Sequence, residues 1–249
     1  MSSRTFKNKI GTIADFLFPR HCLACGEINP KGIYKHICGH CATTAMLCTG
    51  GRCLICGEII GGKDSPNAHG CPKCFDIKTA YDEALCPTVF DGAIKQLIHA
   101  LKYASAPYAA ADLAKFALKH PDTKNFLNNA TIVPVPLHWL RRFKRGYNQT
   151  EIIAQQLAKA APELNIRIAD ILKRTRRTST QTKLSREERM ENIKGAFALK
   201  AGAKLPPKDA PIILLDDVMT TTATINECAK TLKRAGFKNI RAFAVAKKI

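Results

Sequence analysis

The sequence predicts an α/β protein, a doubly wound parallel sheet preceded by a small cysteine-rich module, and three observations predict it. From about residue 130, short apolar runs (131–136, 166–172, 212–215 and 239–245) alternate with stretches of helical period. The run at 212–215 leads directly into Asp216-Asp217-Val218-Met219-Thr220-Thr221-Thr222-Ala223-Thr224. That places acids and hydroxyls where open α/β sheets collect ligands, at the carboxyl end of a strand. Finally, nine of the eleven cysteines lie before residue 75.

The 249 residues are 46% hydrophobic, enough for one medium domain and a small appendage. Every apolar run is too short to span a bilayer, and Gly11, Thr12 and Asp15 interrupt what would be a signal peptide's apolar region. No integral membrane insertion and a cytoplasmic location are therefore expected. Phe6, Ile10, Ile13, Phe16 and Leu17 recur at helical spacing beside Arg4, Lys7 and Lys9, predicting a basic amphipathic helix over residues 1–20. Such a helix packs on the domain it precedes or lies peripherally on an anionic membrane surface, here the inner face of the cytoplasmic membrane. Thirty-nine basic against twenty acidic residues leave a formal charge of +19, which points to polyanionic partners without choosing among them.

Residues 21–76 carry four C-x-x-C pairs: Cys22 and Cys25, Cys38 and Cys41, Cys53 and Cys56, Cys71 and Cys74. Two pairs make one tetrahedral thiolate site, so the segment predicts two structural zinc ions. Local pairing assigns the first four cysteines to one ion and the last four to the other; the spacing leaves an interleaved pairing open. A full set of four thiolates has no open position for catalysis. With few large apolar residues, this segment folds as it binds metal. Cys48, His36, His40 and His69 are left out of the ligand sets, and Cys86 and Cys228 sit in apolar surroundings as small buried hydrophobes.

Residues 84–249 read as the second domain. Ile94, Leu97, Ile98 and Leu101 mark one helix, and Leu113, Phe116, Ala117 and His120 a second that ends at Pro121. The first core strand, at 131–136, opens into a loop with Arg141, Arg142, Lys144 and Arg145, four cations that repel unless they share an anion. Asn148 or Thr150 caps the next helix, whose buried face is Ile152, Ile153, Leu157 and Ala160. The run 166–172 reads as a strand and 173–182 as a polar basic loop, followed by a capping box of Ser185 and Glu188 that starts a helix over 186–192. After a Lys/Pro linker at 200–210 comes the buried strand at 212–215. Its helix, with Ile225, Cys228, Ala229 and Leu232, stops at Gly236, and 239–245 supplies the last strand.

A helix N-terminus with four threonine hydroxyls (Thr220, Thr221, Thr222, Thr224) suits a phosphate, and two adjacent acids suit a sugar diol with or without Mg²⁺. Together they describe a ribose 5-phosphate. The nonamer resembles the 5-phosphoribosyl-1-pyrophosphate (PRPP) motif of type I phosphoribosyltransferases, except that Thr222 stands where the family has glycine. A β-branched residue there resists positive φ and close approach to phosphate. Val133-Pro134-Val135-Pro136-Leu137-His138, the Arg-rich run and Arg145-Gly146-Tyr147-Asn148-Gln149 are similar to the signature of the ComF family of competence proteins, as are Gln181, Leu184, Arg189, Asn192, Gly195, Ala196 and Phe197. In that family a double zinc ribbon precedes a type I phosphoribosyltransferase-like doubly wound sheet.

The resemblance implies that Asp216 and Asp217 hold the ribose hydroxyls and that Thr220, Thr221, Thr222, Ala223 and Thr224 form the 5-phosphate turn. Magnesium would bridge pyrophosphate and diol, with Arg141, Arg145, Lys102 and Arg177 as pyrophosphate or loop cations. Some purine enzymes of the superfamily place an acid where Thr220 stands, and threonine cannot replace it as a base at neutral pH. The implied function is PRPP binding with transfer to an unidentified acceptor. The alternative is a non-catalytic DNA-uptake factor that takes single-stranded DNA and competence-machinery proteins as partners, with PRPP as ligand.

Overall fold

The computed structural model describes residues 20–28, 32–60, 71–176 and 186–249. The amphipathic segment expected before Arg20, His69, Arg177, most of the polar loop after it and Ser185 of the expected capping box lie outside these residues. A parallel sheet forms the centre. Its edge is made by β1 (Ala84–Leu85) and β2 (Thr88–Val89), both paired with β8 (Ile240–Lys247), and inward from β8 follow β7 (Ile212–Met219), β3 (Thr131–Pro134) and β4 (Arg167–Ile168). Side chains alternate across it. Ile213, Leu215, Phe243 and Val245 face one layer, and Ile212, Leu214, Ala242 and Ala244 the other.

The first layer holds α2 (Gly92–Tyr103), α3 (Ala109–Leu118), α4 (Pro121–Leu127) and α6 (Gln149–Ala160); α1 (Gly39–Ala42) is one turn inside the cysteine-rich segment. The second layer is α8 (Ala223–Arg234), α7 (Arg186–Ile193) and a separate antiparallel pair, β5 (Leu172–Arg174) with β6 (Phe197–Leu199). Between β3 and α6 lies a short helix, α5 (Trp139–Arg145), that buries none of its residues.

Several expectations shift. The acids, expected on the strand-to-helix turn, lie inside β7, which runs through Asp216 and Asp217 to Met219 because its ladder to β8 continues to Lys247. The run 166–172 is not one strand: β4 ends at Ile168 and β5 starts at Leu172 in another sheet. The four-cation stretch is a short helix rather than a loop, with the His138 side chain accepting from the Leu140 amide at its start. Pro121, expected to end a helix, occupies the first turn of α4, where its missing N–H costs nothing.

The cysteine-rich segment docks on both layers' margins. Tyr34 stacks on Phe116 of α3 with ring centroids 4.0 Å apart. Fully buried Asp112 of α3 accepts the amides of Lys35 and His36 at 3.0 and 2.7 Å. Two glycines mark where backbones meet side chains. A Cβ on Gly57, at φ +70°, would lie 2.6 Å from the Cys86 sulfur, and one on Gly92, at φ +49°, would lie 2.5 Å from the Thr44 hydroxyl.

Candidate functional site

The cysteines form two clusters, Cys22, Cys25, Cys38 and Cys41, and Cys53, Cys56, Cys71 and Cys74, each with its sulfurs within 4.8 Å of one another. Of the two pairings the spacing allowed, the local one holds. Each begins with the same small turn: the Cys22 and Cys53 amides donate to Glu27 and Glu58 carbonyls, and the Gly26 and Gly57 amides donate back to Cys22 and Cys53. Tetrahedral zinc with Zn–S bonds of about 2.3 Å requires sulfurs about 3.8 Å apart. Cys25–Cys38 and Cys56–Cys71 are 3.8 Å apart. Amides of Cys38, Cys41 and Cys71 donate to sulfurs of Cys22, Cys38 and Cys53 at 3.3, 3.4 and 3.1 Å, as thiolate ligands require. The donor sets fit zinc, and burial pushes the thiols of Cys48 and Cys86, outside both sets, up to about 11 and about 12. Cys228 is likewise raised by burial, so these three behave as inert apolar side chains.

At the carboxyl ends of β3 and β7 lies a cleft of about 650 Å³. Strand ends supply its floor and several separate elements its cations. The end of β3 supplies Val135, Pro136 and Leu137; the end of β7 and the first turn of α8 supply Asp216, Asp217, Val218, Thr220, Thr221 and Thr224. The cations arrive from α2 (Lys102), α5 (Arg141, Lys144, Arg145), β5 (Arg174) and the residue after β8 (Lys248). Six cationic side chains against two carboxylates make the cleft an anion trap. Asn148 fixes the α5–α6 corner to β3: its side chain and the Thr150 hydroxyl both donate to the Val135 carbonyl, at 3.2 and 2.8 Å.

Because successive strand residues point to opposite faces, the two acids meet different neighbours. Asp217, buried, accepts Lys102 Nζ at 2.6 Å and Gln149 Nε2 at 2.8 Å, and Gln149 Oε1 in turn accepts Arg145. Asp216 is half-buried and accepts the Asp217 amide at 2.8 Å. Burial first, and the adjacent Asp217 second, push its carboxyl up to about 7 against the pull of Lys102. Burial opposes the charge of Lys102, but Asp217 and Asp216 outweigh it and hold the ammonium above its ordinary range.

Of the residues singled out from the sequence, Asp216, Asp217, Thr220, Thr221, Thr224, Lys102, Arg141 and Arg145 line this cleft, and Arg177 lies outside the described residues. Thr222 and Ala223 do not line it; both are buried in the start of α8. Thr222 has φ −76°, right-handed backbone, and its carbonyl accepts the Asn226 amide at 2.8 Å. The positive φ that would call for glycine there is absent in this turn. Arg142 belongs to neither group: it is turned away to a two-pronged contact with Glu151 at 3.0 and 3.3 Å. Lys144, one of the four cations expected to share an anion, lines the cleft too; so do Gln149, Arg174, Lys248, Tyr103 and Ser105, to which the sequence alone assigns no place in it. Gln149 had a signal, its place in the Arg-Gly-Tyr-Asn-Gln block; Lys248 had none, since only the sheet's register brings it there.

Residues 13–75 match the profile of the double zinc ribbon domain and residues 104–249 that of the phosphoribosyl transferase domain. The chain is 29% identical over 225 residues to Competence protein F of Haemophilus influenzae, covering 84% of this chain and 96% of that protein. It is 27% identical over 228 residues to the DNA utilization protein YhgH of Salmonella typhimurium, covering 85% and 96%. Competence protein ComFC of Streptococcus pneumoniae matches at 34% over 115 residues, 46% of this chain and 47% of that one. The chain thus belongs to the ComF family, a double zinc ribbon joined to a phosphoribosyl transferase domain.

Proposed function

We propose that the cleft binds PRPP with Mg²⁺ and that the zinc ribbons of residues 21–76 brace the ligand-binding domain of residues 84–249. The observation that carries this reading is the meeting, in one cleft, of an acid pair, a hydroxyl-rich helix start and six cations. The ribose hydroxyls would bind Asp216 and Asp217. The 5-phosphate would rest on Thr220, Thr221 and Thr224 and on the amides that a helix's first turn leaves without intrahelical partners. Arg141, Lys144 and Arg145 would take the pyrophosphate, and Mg²⁺, arriving with the ligand beside Asp216 and Asp217, would supply charge neutralisation for the leaving group. Thr222 and Ala223 would act as turn backbone only. Thr220 supplies no base for an acceptor, so any transfer suits an acceptor that is already nucleophilic.

Titration calorimetry with PRPP and Mg²⁺ tests the reading. Asp216→Asn and Arg141→Ala should each weaken binding at least about tenfold, the size of one lost charge-assisted contact. No binding by the native chain would dismiss the ligand.

Two observations favour a second role beside it: the charge of +19, and relatives named as competence and DNA utilization proteins. Trp139 and Phe143, 65% and 86% exposed on α5, offer stacking surfaces beside the cations for a single strand of DNA. The place of action would be the cytoplasm or the inner membrane face, with competence-machinery proteins as partners; among the described residues no helix is long and apolar enough to cross a membrane. Binding of single-stranded DNA that weakens steeply with salt is expected, and none at low salt removes this role.

A further inference from the structure

We propose that Lys102 is a positioning residue that couples the two ends of the cleft: Asp217 holds its ammonium while the cleft is empty, and pyrophosphate draws it across, opening Asp217 to the ribose diol. The inference rests on the ligand reading above. Both oxygens of Asp217 are engaged, Oδ1 by Lys102 at 2.6 Å and Oδ2 by Gln149 at 2.8 Å. Each oxygen keeps a second lone pair, but the Asp217 side chain is only 5% exposed, so a diol reaches this carboxylate by displacing one of the two donors that cover it. Gln149 cannot yield easily. It is buried at the start of α6 and bonded on its other side to Arg145, and an amide is the side chain that can donate to a carboxylate and accept from a guanidinium at once.

Lys102 can yield. Its backbone lies in the last turn of α2, where the Tyr147 hydroxyl donates to the Leu101 carbonyl at 2.6 Å, so the helix end is pinned and only the side chain is free to swing. An ammonium on a four-carbon stem is a point charge without a preferred plane. Leaving Asp217 alone in a poorly hydrated site is costly, so the ion pair opens only when an anion receives the lysine and hydroxyls receive the carboxylate. Whichever ligand arrives first bears the cost of opening, and the second binds to a cleft already open. The coupling is reciprocal.

Calorimetry on the zinc-loaded full chain, without Mg²⁺, with inorganic pyrophosphate and ribose 5-phosphate each alone and each in the presence of the other, tests the coupling. Each ligand should tighten the other about tenfold, within the usual range of coupling between sites. In Lys102→Met, ribose 5-phosphate alone should bind about threefold to tenfold tighter, pyrophosphate weaker by a similar factor, and the coupling should vanish; Lys102→Arg should keep part of it. A lysine that only neutralises Asp217 would instead weaken both ligands on removal, and that result, or unchanged coupling in the methionine variant, overturns the proposal. Should the variant not fold, the titrations of the native chain still discriminate. Ligands that bind independently overturn the role of Lys102 and leave the cleft reading standing, whereas failure of both to bind overturns the two together.

Discussion

Asp216 and Asp217 are neighbours in the chain and opposites in environment: Asp217 is neutralised by Lys102, whereas Asp216 accepts a backbone amide. The raised pKa of Asp216, about 7, means that the folded state holds its proton more tightly than the unfolded chain does. Ionising it therefore costs stability, and the cost grows from the ordinary carboxylate range up to about pH 7 and is constant above. Asp216→Asn removes the titration. Its melting temperature should match that of the native protein near pH 4 and exceed it at pH 8, by on the order of 5 °C after allowance for half-burial. A constant offset at all pH values would show that Asp216 does not titrate in this window. At this scale the acids and hydroxyls were legible, because adjacent carboxylates at a strand end need an explanation that packing does not supply. The Gln149 amide was not, since its role depends on a carboxylate 68 positions away.

Helix α5 shows what an element can hide. Periodicity is visible only where one face is buried, and α5 buries nothing, so its sequence reads as a basic loop. The two-residue strands β1 and β2 are silent for a related reason: they are shorter than any pattern and owe their existence to the register of β8. Longer elements were readable at least in part: the apolar run 212–215 marks the first half of β7, and the twelve residues of α8 suffice to display a helical period. The helical geometry of α5 nevertheless separates residues that a loop would treat alike. Arg141 lines the cleft, while Arg142, next in sequence, grips Glu151. Arg141→Ala should weaken pyrophosphate binding about tenfold, and Arg142→Ala by less than about twofold, since a half-exposed ion pair outside the cleft contributes little. Equal losses in titrations of the two variants would mean that these cations act as a diffuse field and not as positioned contacts.

Across the whole molecule the two ribbons are fastened to different structures, and metal removal should show it. The first rests on α3 through Asp112, which accepts the Lys35 and His36 amides, and through the Tyr34–Phe116 stack. The second rests on the sheet's edge, where the Ala84 amide donates to the Leu54 carbonyl at 2.7 Å and Arg52 bridges Glu83 and Asp122. A thiolate cluster stripped of its ion has little apolar surface with which to stay folded, so each ribbon's contacts depend on its own zinc. Hydrogen exchange can follow them separately. In Cys41→Ser the amides of Lys35 and His36 should lose protection at least about tenfold while Ala84 keeps its own, and in Cys71→Ser the pattern should reverse. A chelator should then expose all three amides and lower the melting temperature by about 5–10 °C, because Asp112 is left buried without its two donors and the β1 edge is uncovered. Protection that survives the chelator would mean that these contacts hold the ribbons without metal, and the zinc would then be a passenger in the fold.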